Sequence, residues 1–139
     1  MENKVIENLV EKAIEARNMA YAPYSGFKVG AALLDASGGI HLGCNIENAA
    51  LTPGNCAERT AFFTSIAQGK RQFSAIAIVG GADNLVDDCF PCGVCRQVMM
   101  EFCGEGFQII IAQNPQNYRI FTLPQLLPHG FGPGHISPK

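Results

Sequence analysis

The chain contains 139 residues, of which 47% are apolar and 16% are charged, and its formal net charge is -2. This length and composition predict one globular domain over residues 1–139 and exclude a disordered protein. The longest run of basic residues is the pair Lys70-Arg71. We therefore expect a small-molecule ligand and no polynucleotide partner, because a surface for long nucleic acid needs a basic patch.

The N-terminus and the cysteines bear on the cellular compartment. Residues 1–4 lead into a charged amphipathic stretch without the apolar core of a secretory signal. No window approaches the roughly 20 apolar residues of a membrane span. Six cysteines could form disulfides in a secreted protein, but a C-x-x-C string in a cytosolic chain is more typical of a metal or redox site. We expect a cytoplasmic protein without membrane contact.

The first part of the chain is predicted to form a helix and a hairpin. Apolar side chains recur at spacings of three and four over residues 3–20, which predicts an amphipathic helix. The apolar stretch 27–34 predicts a strand, and a Gly38-Gly39 turn joins it to a partner strand at 40–45. An irregular loop rich in Asn, Pro and Gly follows at 46–55.

From residue 56 onwards, helices alternate with strands. The predicted elements are helices at about 56–68 and 92–103, strands at 74–80, 107–112 and 118–122, a short final helix at 122–127 and an extended tail at about 128–139. This order predicts an α/β fold, in which a mixed sheet of about five strands carries helices on its faces.

Two short strings bear the chemistry, Cys56-Ala57-Glu58 and Pro91-Cys92-Gly93-Val94-Cys95, and each falls where a loop meets a predicted helix. Helix N-termini lower the pKa of thiols and prepare them to bind metal. Cys92 and Cys95 are three residues apart and so lie on one helical face. Three thiolates leave a tetrahedral Zn²⁺ one open position for water. Glu58 is placed to serve that water as a general base.

A basic residue near such a site would offset its negative charge, because three thiolates weaken a bound zinc ion as a Lewis acid. Arg59 directly follows Glu58 and could donate hydrogen bonds to the ligand sulfurs. Arg96 is a weaker candidate for the same role.

Each of these residues also has a plainer interpretation. A lone C-x-x-C is often redox-active or half of a structural zinc site, and Cys89 could be a fourth ligand that would make the site structural. Glu58 could simply favour the helix dipole, and Arg59 could form an exposed salt bridge. The conjunction of the two strings favours catalysis. The remaining candidates show no ligand spacing, and we expect buried or spare thiols at Cys44 and Cys103 and loop or surface roles for His41, His129 and His135.

With these strings the chain resembles the small zinc-dependent cytidine deaminases, and the resemblance covers roughly residues 20–133. The segments similar to that family are its first strand at 24–33, its nucleoside-binding loop at 43–49, its zinc strings at 56–61 and 91–97, and its C-terminal end at 126–128 and 131–133. The resemblance implies a cytidine deaminase-like three-layer fold with helices on both faces of the sheet.

The reaction that the resemblance implies is hydrolytic deamination of cytidine and deoxycytidine to uridine and deoxyuridine, with release of ammonia, in pyrimidine salvage. One Zn²⁺ per subunit would be held by Cys56, Cys92 and Cys95. Hydroxide supplied by the zinc would attack C4 of the base. Glu58 would carry the proton of the water to N3 and a second proton to the departing amine.

The resemblance also implies substrate contacts. Asn45 and Glu47 match a pair that binds the ribose 3′-hydroxyl, Phe27 matches an aromatic that lines the base pocket, and the Ala57 N–H matches a donor to cytosine O2. From their pattern alone, Asn45 and Glu47 would be turn residues and Phe27 an ordinary core residue. Arg59 would act on the ligand sulfurs.

Two further residues match family positions near the C-terminal half. Gln97 matches a residue that supports the site around the metal, and Phe131 matches an aromatic that reaches the pocket from another subunit. Because single-domain members of the family are homotetramers with active sites completed across interfaces, the resemblance implies a homotetramer here.

The chain departs from the family at three places. Leu51 stands where the family usually has a tyrosine that reaches a neighbouring pocket, and Pro53-Gly54 alters the same loop. Phe90 stands where the family usually has a small polar residue, beside the expected place of the amino group. These changes affect the expected substrate range and subunit contacts but not the zinc ligands or Glu58.

Three other functions compete with this one. A deaminase of a cytosine-containing antibiotic of the blasticidin S type could use the same scaffold, although the loop at 45–48 and the strand with Phe27 favour ordinary nucleosides. A nucleic-acid deaminase is disfavoured by the net charge of -2. A non-enzymatic binding module stabilised by zinc would need no general base, so Glu58 would have no role in it.

Overall fold

The computed structural model describes residues 1–136. Its elements are α1 (Asn3–Arg17), β1 (Lys28–Asp35), β2 (Ile40–Cys44), α2 (Ala57–Ala67), β3 (Phe73–Gly81), α3 (Gly93–Phe102), β4 (Gln108–Asn114), β5 (Asn117–Thr122), α4 (Leu123–Leu126) and a 3-10 helix (Pro133–His135). All nine predicted helices and strands are present, and their order is as predicted. None of the helices in the described range has the length and apolar character needed to cross a membrane.

The five strands form one mixed sheet in the order β2-β1-β3-β4-β5. β3 and β4 run parallel, because α3 lies in the connection between them, and the other neighbouring pairs are antiparallel. The middle strand β3 is buried from Ala75 to Gly81, as expected for a continuous apolar run with helices on both faces. The predicted mixed sheet is confirmed.

Two separate clusters of buried side chains lie on the two faces of the sheet. On one face, Ile6, Leu9 and Val10 of α1 pack against small residues of the central strands. On the other face, Phe62 of α2 and Met99 of α3 pack together over Ile76, Ile78, Ile109 and Ile111. The layer order helix, sheet, helix is therefore confirmed, and it brings α2 and α3 to the same side of the sheet.

The first helix is shorter than predicted, since it ends at Arg17 and not near residue 20. The Arg17 guanidinium turns back to donate to the carbonyls of Lys28 at 3.0 Å and Gly81 at 2.6 Å. The chain then leaves the helix axis, and Tyr21 N–H donates to the Asn45 carbonyl at 3.0 Å. Tertiary hydrogen bonds therefore end this helix before the periodic pattern does.

The predicted extended tail at 128–139 differs from the structure in its described part. Residues 128–129 form a turn, and Pro133–His135 form a 3-10 helix. The Phe131 ring stacks on His135 with centroids 5.1 Å apart, and the N–H of Gly132 donates to His135 Nδ1 at 3.1 Å. These local contacts fold the segment back on itself. Residues 137–139 of the predicted tail lie outside the described range.

The position of His41 also differs from the loop or surface role expected for it. His41 lies in β2 with a side chain only 10% exposed, and its Nε2 lies 2.7 Å from the buried Asp35 carboxylate. Asp35 also accepts hydrogen bonds from the N–H groups of Ser37 at 2.8 Å and Gly39 at 3.1 Å. Hydrogen bonds from Ser37 and His41 hold the pKa of Asp35 far below its ordinary value. The carboxylate thus fastens the hairpin turn between β1 and β2.

We expect Asp35→Asn to lower the free energy of unfolding by about 1–3 kcal/mol at pH 7, because an amide cannot replace the charged acceptor. The folded pKa of Asp35 lies below its unfolded value of about 3.9. The stabilisation is therefore present above that value and is lost as the pH falls through the folded pKa. Urea unfolding at one protein concentration between pH 3 and 8 measures the difference, which should shrink below about pH 4.

The matched control for this prediction is Asp83→Asn, since the Asp83 side chain is exposed. An equal loss of stability in both variants, or a difference that persists unchanged at pH 3, would contradict the proposed role of the carboxylate.

Candidate metal centre and active site

The starts of α2 and α3 bring three cysteine sulfurs together. Cys56 is the N-cap residue of α2, Cys92 is the N-cap residue of α3, and Cys95 lies in the first turn of α3. Their Sγ atoms all lie within 4.8 Å of one another, and those of Cys56 and Cys92 are 3.6 Å apart. Within residues 1–136, this is the only cluster of three or more potential metal ligands found.

The local sequence explains why the thiols face each other. Neither N-cap cysteine uses its side chain to cap its own helix, so both sulfurs are free to turn towards a shared ion. Gly43 of β2 allows the start of α2 to lie against the sheet, since a Cβ there would lie 2.3 Å from the Ala57 carbonyl oxygen. The close approach of helix and strand fixes the position of Cys56.

The charges of the cluster suit a soft divalent cation. A hydrogen bond from Cys95 and another from Arg59 lower the pKa of Cys56 to about 5, whereas the pKa of Cys95 is raised because it shares its proton with Cys56. We assign the charge to Cys56 and the proton to Cys95. Three sulfur donors in this arrangement fit zinc, which would take the place of that proton.

Arg59 lies where its sequence position predicts. Its guanidinium donates to Cys56 Sγ at 3.2 Å, so it offsets the charge of the sulfurs. Its Nε is buried without a hydrogen-bond partner in the described range. Arg96, the weaker candidate, does not take this role, because its guanidinium donates to the carbonyls of Pro91 at 2.7 Å and Leu126 at 2.6 Å.

Cys89 is not part of the sulfur cluster, although it lines the neighbouring cavity. Burial, together with the negative charge of Glu58, raises the pKa of Cys89 to about 12, so its thiol stays protonated at neutral pH. Because its sulfur lies outside the group of three that approach one another, the geometry does not support the four-ligand alternative, and three sulfurs leave one position of a tetrahedral ion open.

Glu58 lies in the first turn of α2 and is only 4% exposed, yet it belongs to the lining of the cavity beside the sulfurs. Burial raises the pKa of its carboxyl to about 7. A carboxyl with this pKa can both accept and donate a proton near neutral pH. It is not a member of the metal-ligand cluster, so it is free for acid–base chemistry.

A cavity of about 580 Å³ opens directly from the sulfurs, which is within the size range of small-molecule sites. Predicted site residues that line it are Phe27, Asn45, Glu47, Cys56, Ala57, Glu58, Arg59 and Cys92. The cavity therefore collects residues from β1, the loop after β2, α2 and the start of α3. Phe27 is 38% exposed, so it is a cavity residue and not a core residue.

The loop after β2 is held in place by its own polar side chains. Asn45 accepts from the Val29 N–H at 2.8 Å and donates to the Phe27 carbonyl at 2.8 Å. The Glu47 carboxylate accepts from the N–H groups of Tyr24 at 2.9 Å and Ser25 at 3.2 Å. A hydrogen bond from the Ser25 hydroxyl lowers the pKa of Glu47. This carboxylate is therefore an ionised acceptor at the exposed end of the cavity.

Three predicted site residues are not part of the cavity lining: Cys95, which is buried within the sulfur cluster, and Gln97 and Phe131. Phe131 is 57% exposed and stacks on His135, and Gln97 of α3 donates to the Phe131 carbonyl at 2.7 Å. Gln97 thus holds the segment that presents Phe131 on the surface. Neither residue belongs to the cavity lining.

Sequence reasoning did not predict the local contacts of several other residues that line the cavity. Tyr24 and Ser25 orient Glu47, but nothing in their spacing indicates a contact 22 or 23 positions further along the chain. Leu51 lines the mouth of the cavity with its side chain 80% exposed and its φ at 65°. The ring of Phe90 packs against Phe121, with centroids 5.2 Å apart, and no motif pointed to that pair.

The same residues can be compared with those of known proteins. The profile of the cytidine and deoxycytidylate deaminase zinc-binding region matches residues 3–111. The chain is 43% identical over 132 residues to the cytidine deaminase of Sporosarcina psychrophila, covering 95% of each chain. It is 44% identical over 123 residues to that of Halalkalibacterium halodurans, covering 88% of this chain and 91% of the relative.

Solved structures give the same result. A crystal structure of the cytidine deaminase from Burkholderia pseudomallei superposes with a TM-score of 0.79 at 46% identity, covering 89% of this chain and 97% of that one. The cytidine deaminase of Mycobacterium tuberculosis superposes with a TM-score of 0.75 at 37% identity, covering 90% and 95%. Coverage this high means that the sheet and its helices on both faces are shared along most of the chain.

Proposed function

The chain belongs to the cytidine and deoxycytidylate deaminase family, and we propose that its three clustered cysteines and Glu58 form the active centre. The reaction is the hydrolytic deamination of cytidine to uridine and ammonia, and the metal is zinc. We extend the proposal to deoxycytidine as a second substrate. The observation that carries the assignment of the centre is the buried Glu58 carboxyl, which shares a cavity with the sulfurs but is not among the potential ligands.

In this proposal Cys56, Cys92 and Cys95 hold the metal. The chemistry that zinc supplies when bound is activation of water for attack at neutral pH. The Arg59 guanidinium, 3.2 Å from Cys56 Sγ, offsets the charge of the sulfurs and so preserves the electron-withdrawing effect of the metal.

Glu58 moves the protons of the reaction. Its carboxylate accepts a proton from the attacking water and delivers it to N3 of the base, as the new bond from oxygen to C4 forms. It then takes the remaining proton from the new hydroxyl on C4 and transfers it to the amino nitrogen, the bond between C4 and that nitrogen breaks, and ammonia leaves as the C4 carbonyl forms. Because the carboxyl is only 4% exposed, bulk water does not compete for its proton.

The remaining cavity residues position the nucleoside. The Ala57 N–H is at the first position of α2, where helix donors lack an internal partner, and we assign it to cytosine O2. Phe27 would lie against the pyrimidine ring. We assign the ribose 3′-hydroxyl to Asn45 and Glu47. The ionised Glu47 carboxylate can accept a hydrogen bond from that hydroxyl, and such a bond is stronger than one to a neutral acceptor.

We further propose that the active unit is a homotetramer, in which a neighbouring subunit completes each site. Large apolar side chains remain exposed around the mouth of the cavity, including Tyr24 at 62% and Leu51 at 80%. Phe131 is exposed at 57% and held outward by Gln97. Exposed apolar groups of this kind are typical of protein interfaces. The cytoplasmic location remains a prediction from the sequence.

An ultraviolet assay of cytidine and deoxycytidine tests the proposed function, with zinc content and sedimentation mass measured on the same sample. We expect conversion of both nucleosides, one zinc ion per chain and a mass four times that of the chain. Blasticidin S and single-stranded oligonucleotides serve as competing substrates and should not be converted. Absence of cytidine turnover in a zinc-loaded sample would refute the function, and a monomeric mass would refute the shared site.

A further inference from the structure

The wall of the cavity beside the metal ligands is formed by the segment between β3 and α3, and Cys89 and Phe90 line the cavity there. Phe90 lies two residues before Cys92, so it borders the part of the cavity that faces the metal. The reacting carbon C4 must face the same point. The group carried on C4 is therefore the part of a substrate nearest to this wall.

Hydrogen bonds to main-chain groups hold this wall segment in place along its length. The Val86 N–H donates to the Gly80 carbonyl at 2.8 Å, and the Arg96 guanidinium donates to the Pro91 carbonyl at 2.7 Å. Between these two points, the guanidinium of Arg119 donates to the carbonyl of Asp87 at 2.7 Å. Arg119 lies on the edge strand β5, far along the chain from the wall.

Arg119 also covers the aromatic ring of the wall. Its guanidinium carbon lies 5.5 Å from the centroid of Phe90 and 5.6 Å from that of Phe121, which is also on β5. The two rings meet edge to face at 5.2 Å and 64°, a favourable geometry for aromatic pairs. Both arginine distances are within the range of cation–π interactions.

No residue of β5 belongs to the cavity lining, and the ion pairs found in residues 1–136 do not include Arg119. The three contacts described above therefore account for the ordered position of its guanidinium. Two of them are to the segment that carries Phe90, the third is to the Phe121 ring that packs against Phe90, and Arg119 itself does not line the cavity.

We propose that Arg119 and Phe121 are positioning residues that fix the Phe90 wall and thereby limit the size of the group on C4 of the pyrimidine. The inference rests on the proposed function, because it concerns the same site. Because Arg119 and Phe121 hold the Phe90 ring from the side away from the cavity, the ring cannot move to make room for a larger amine. Cytidine should therefore be preferred over N4-methylcytidine. Hydrolysis of the latter forms the same bond from oxygen to C4 and releases methylamine in place of ammonia.

The test compares kcat and KM for cytidine and N4-methylcytidine in wild type, Arg119→Ala, Arg119→Lys and Phe121→Leu. We expect Arg119→Ala to raise KM for cytidine about fivefold with little change in kcat, since it removes one hydrogen bond and an exposed cation–π contact. The ratio of kcat/KM for N4-methylcytidine to that for cytidine should rise about fivefold as well. Phe121→Leu should act in the same direction, and Arg119→Lys should lie between wild type and Arg119→Ala.

The matched control is Arg71→Ala, because Arg71, like Arg119, is an arginine that donates to main-chain carbonyls (those of Ile66 and Lys70) and lies outside the cavity lining. The inference is overturned if Arg119→Ala and Phe121→Leu leave the substrate ratio equal to that of Arg71→Ala. It is also overturned if their activity falls only in proportion to lost zinc or lost folded protein. Wild-type turnover of cytidine tests the proposed function separately, so the two failures can be distinguished.

Discussion

Replacing Glu58 with Gln should reduce the turnover of cytidine by about a thousandfold or more, because an amide cannot accept and return the protons of the reaction. The fold and the metal should be retained, since Glu58 is not in the ligand cluster. Burial raises the pKa of the carboxyl to about 7, so the buried charge is unfavourable and a neutral amide of the same shape costs no stability. Steady-state kinetics with zinc analysis of the same preparation measures both effects.

The control for this prediction is Glu101→Gln, which changes the same chemical group on the exposed side of α3. It should retain full activity. Turnover of Glu58→Gln within tenfold of wild type would contradict the assignment of the proton shuttle. Loss of zinc from Glu58→Gln would instead show that the carboxyl supports the metal.

Replacing Cys95 with Ser should remove zinc and cytidine turnover together. Cys95 is only 1% exposed and lies in the first turn of α3, so its sulfur has no substitute from solvent. A hydroxyl is a poor zinc ligand, and two thiolates do not hold the ion at the low free concentrations of zinc in a cell. Because metal binding contributes to folding free energy, the thermal midpoint should also fall. Zinc stoichiometry after dialysis and a melting curve measure the two losses.

Cys89→Ser is the matched control, because Cys89 is the cysteine nearest in sequence to the second string and was the candidate for a fourth ligand. It should keep one zinc ion per chain, since its sulfur stands outside the cluster of three. If Cys89→Ser lost zinc as completely as Cys95→Ser, the site would have four ligands and would be structural.

Most of the fold could be predicted because its elements have strong local signals. The continuous apolar run of β3 required burial on both faces, and the period of α1 required one buried side. The ends of elements were less accurate, because they depend on partners elsewhere in the chain. The last turn predicted for α1 is lost where Arg17 binds carbonyls of Lys28 and Gly81.

The grouping of the three cysteines could be predicted for a related reason. The spacing of Cys92 and Cys95 places both on one helical face, and both strings lie at helix starts where thiols are activated. The Asp35–His41 contact had no such signal, because the two side chains meet only through the register of the β1–β2 hairpin. His41 was therefore expected on a surface or in a loop.

By itself the sequence determined the order of helices and strands and pointed to Cys56, Cys92, Cys95 and Glu58 as the candidate centre, because the elements and the two strings are each patterns within a short segment. Only the tertiary structure decided which residues surround that centre. It placed Cys89 outside the sulfur cluster, turned Arg96 away from the sulfurs and set Arg119 over Phe90. These outcomes depend on how close separate segments approach when the helices pack on the sheet, and no spacing along the chain encodes that distance.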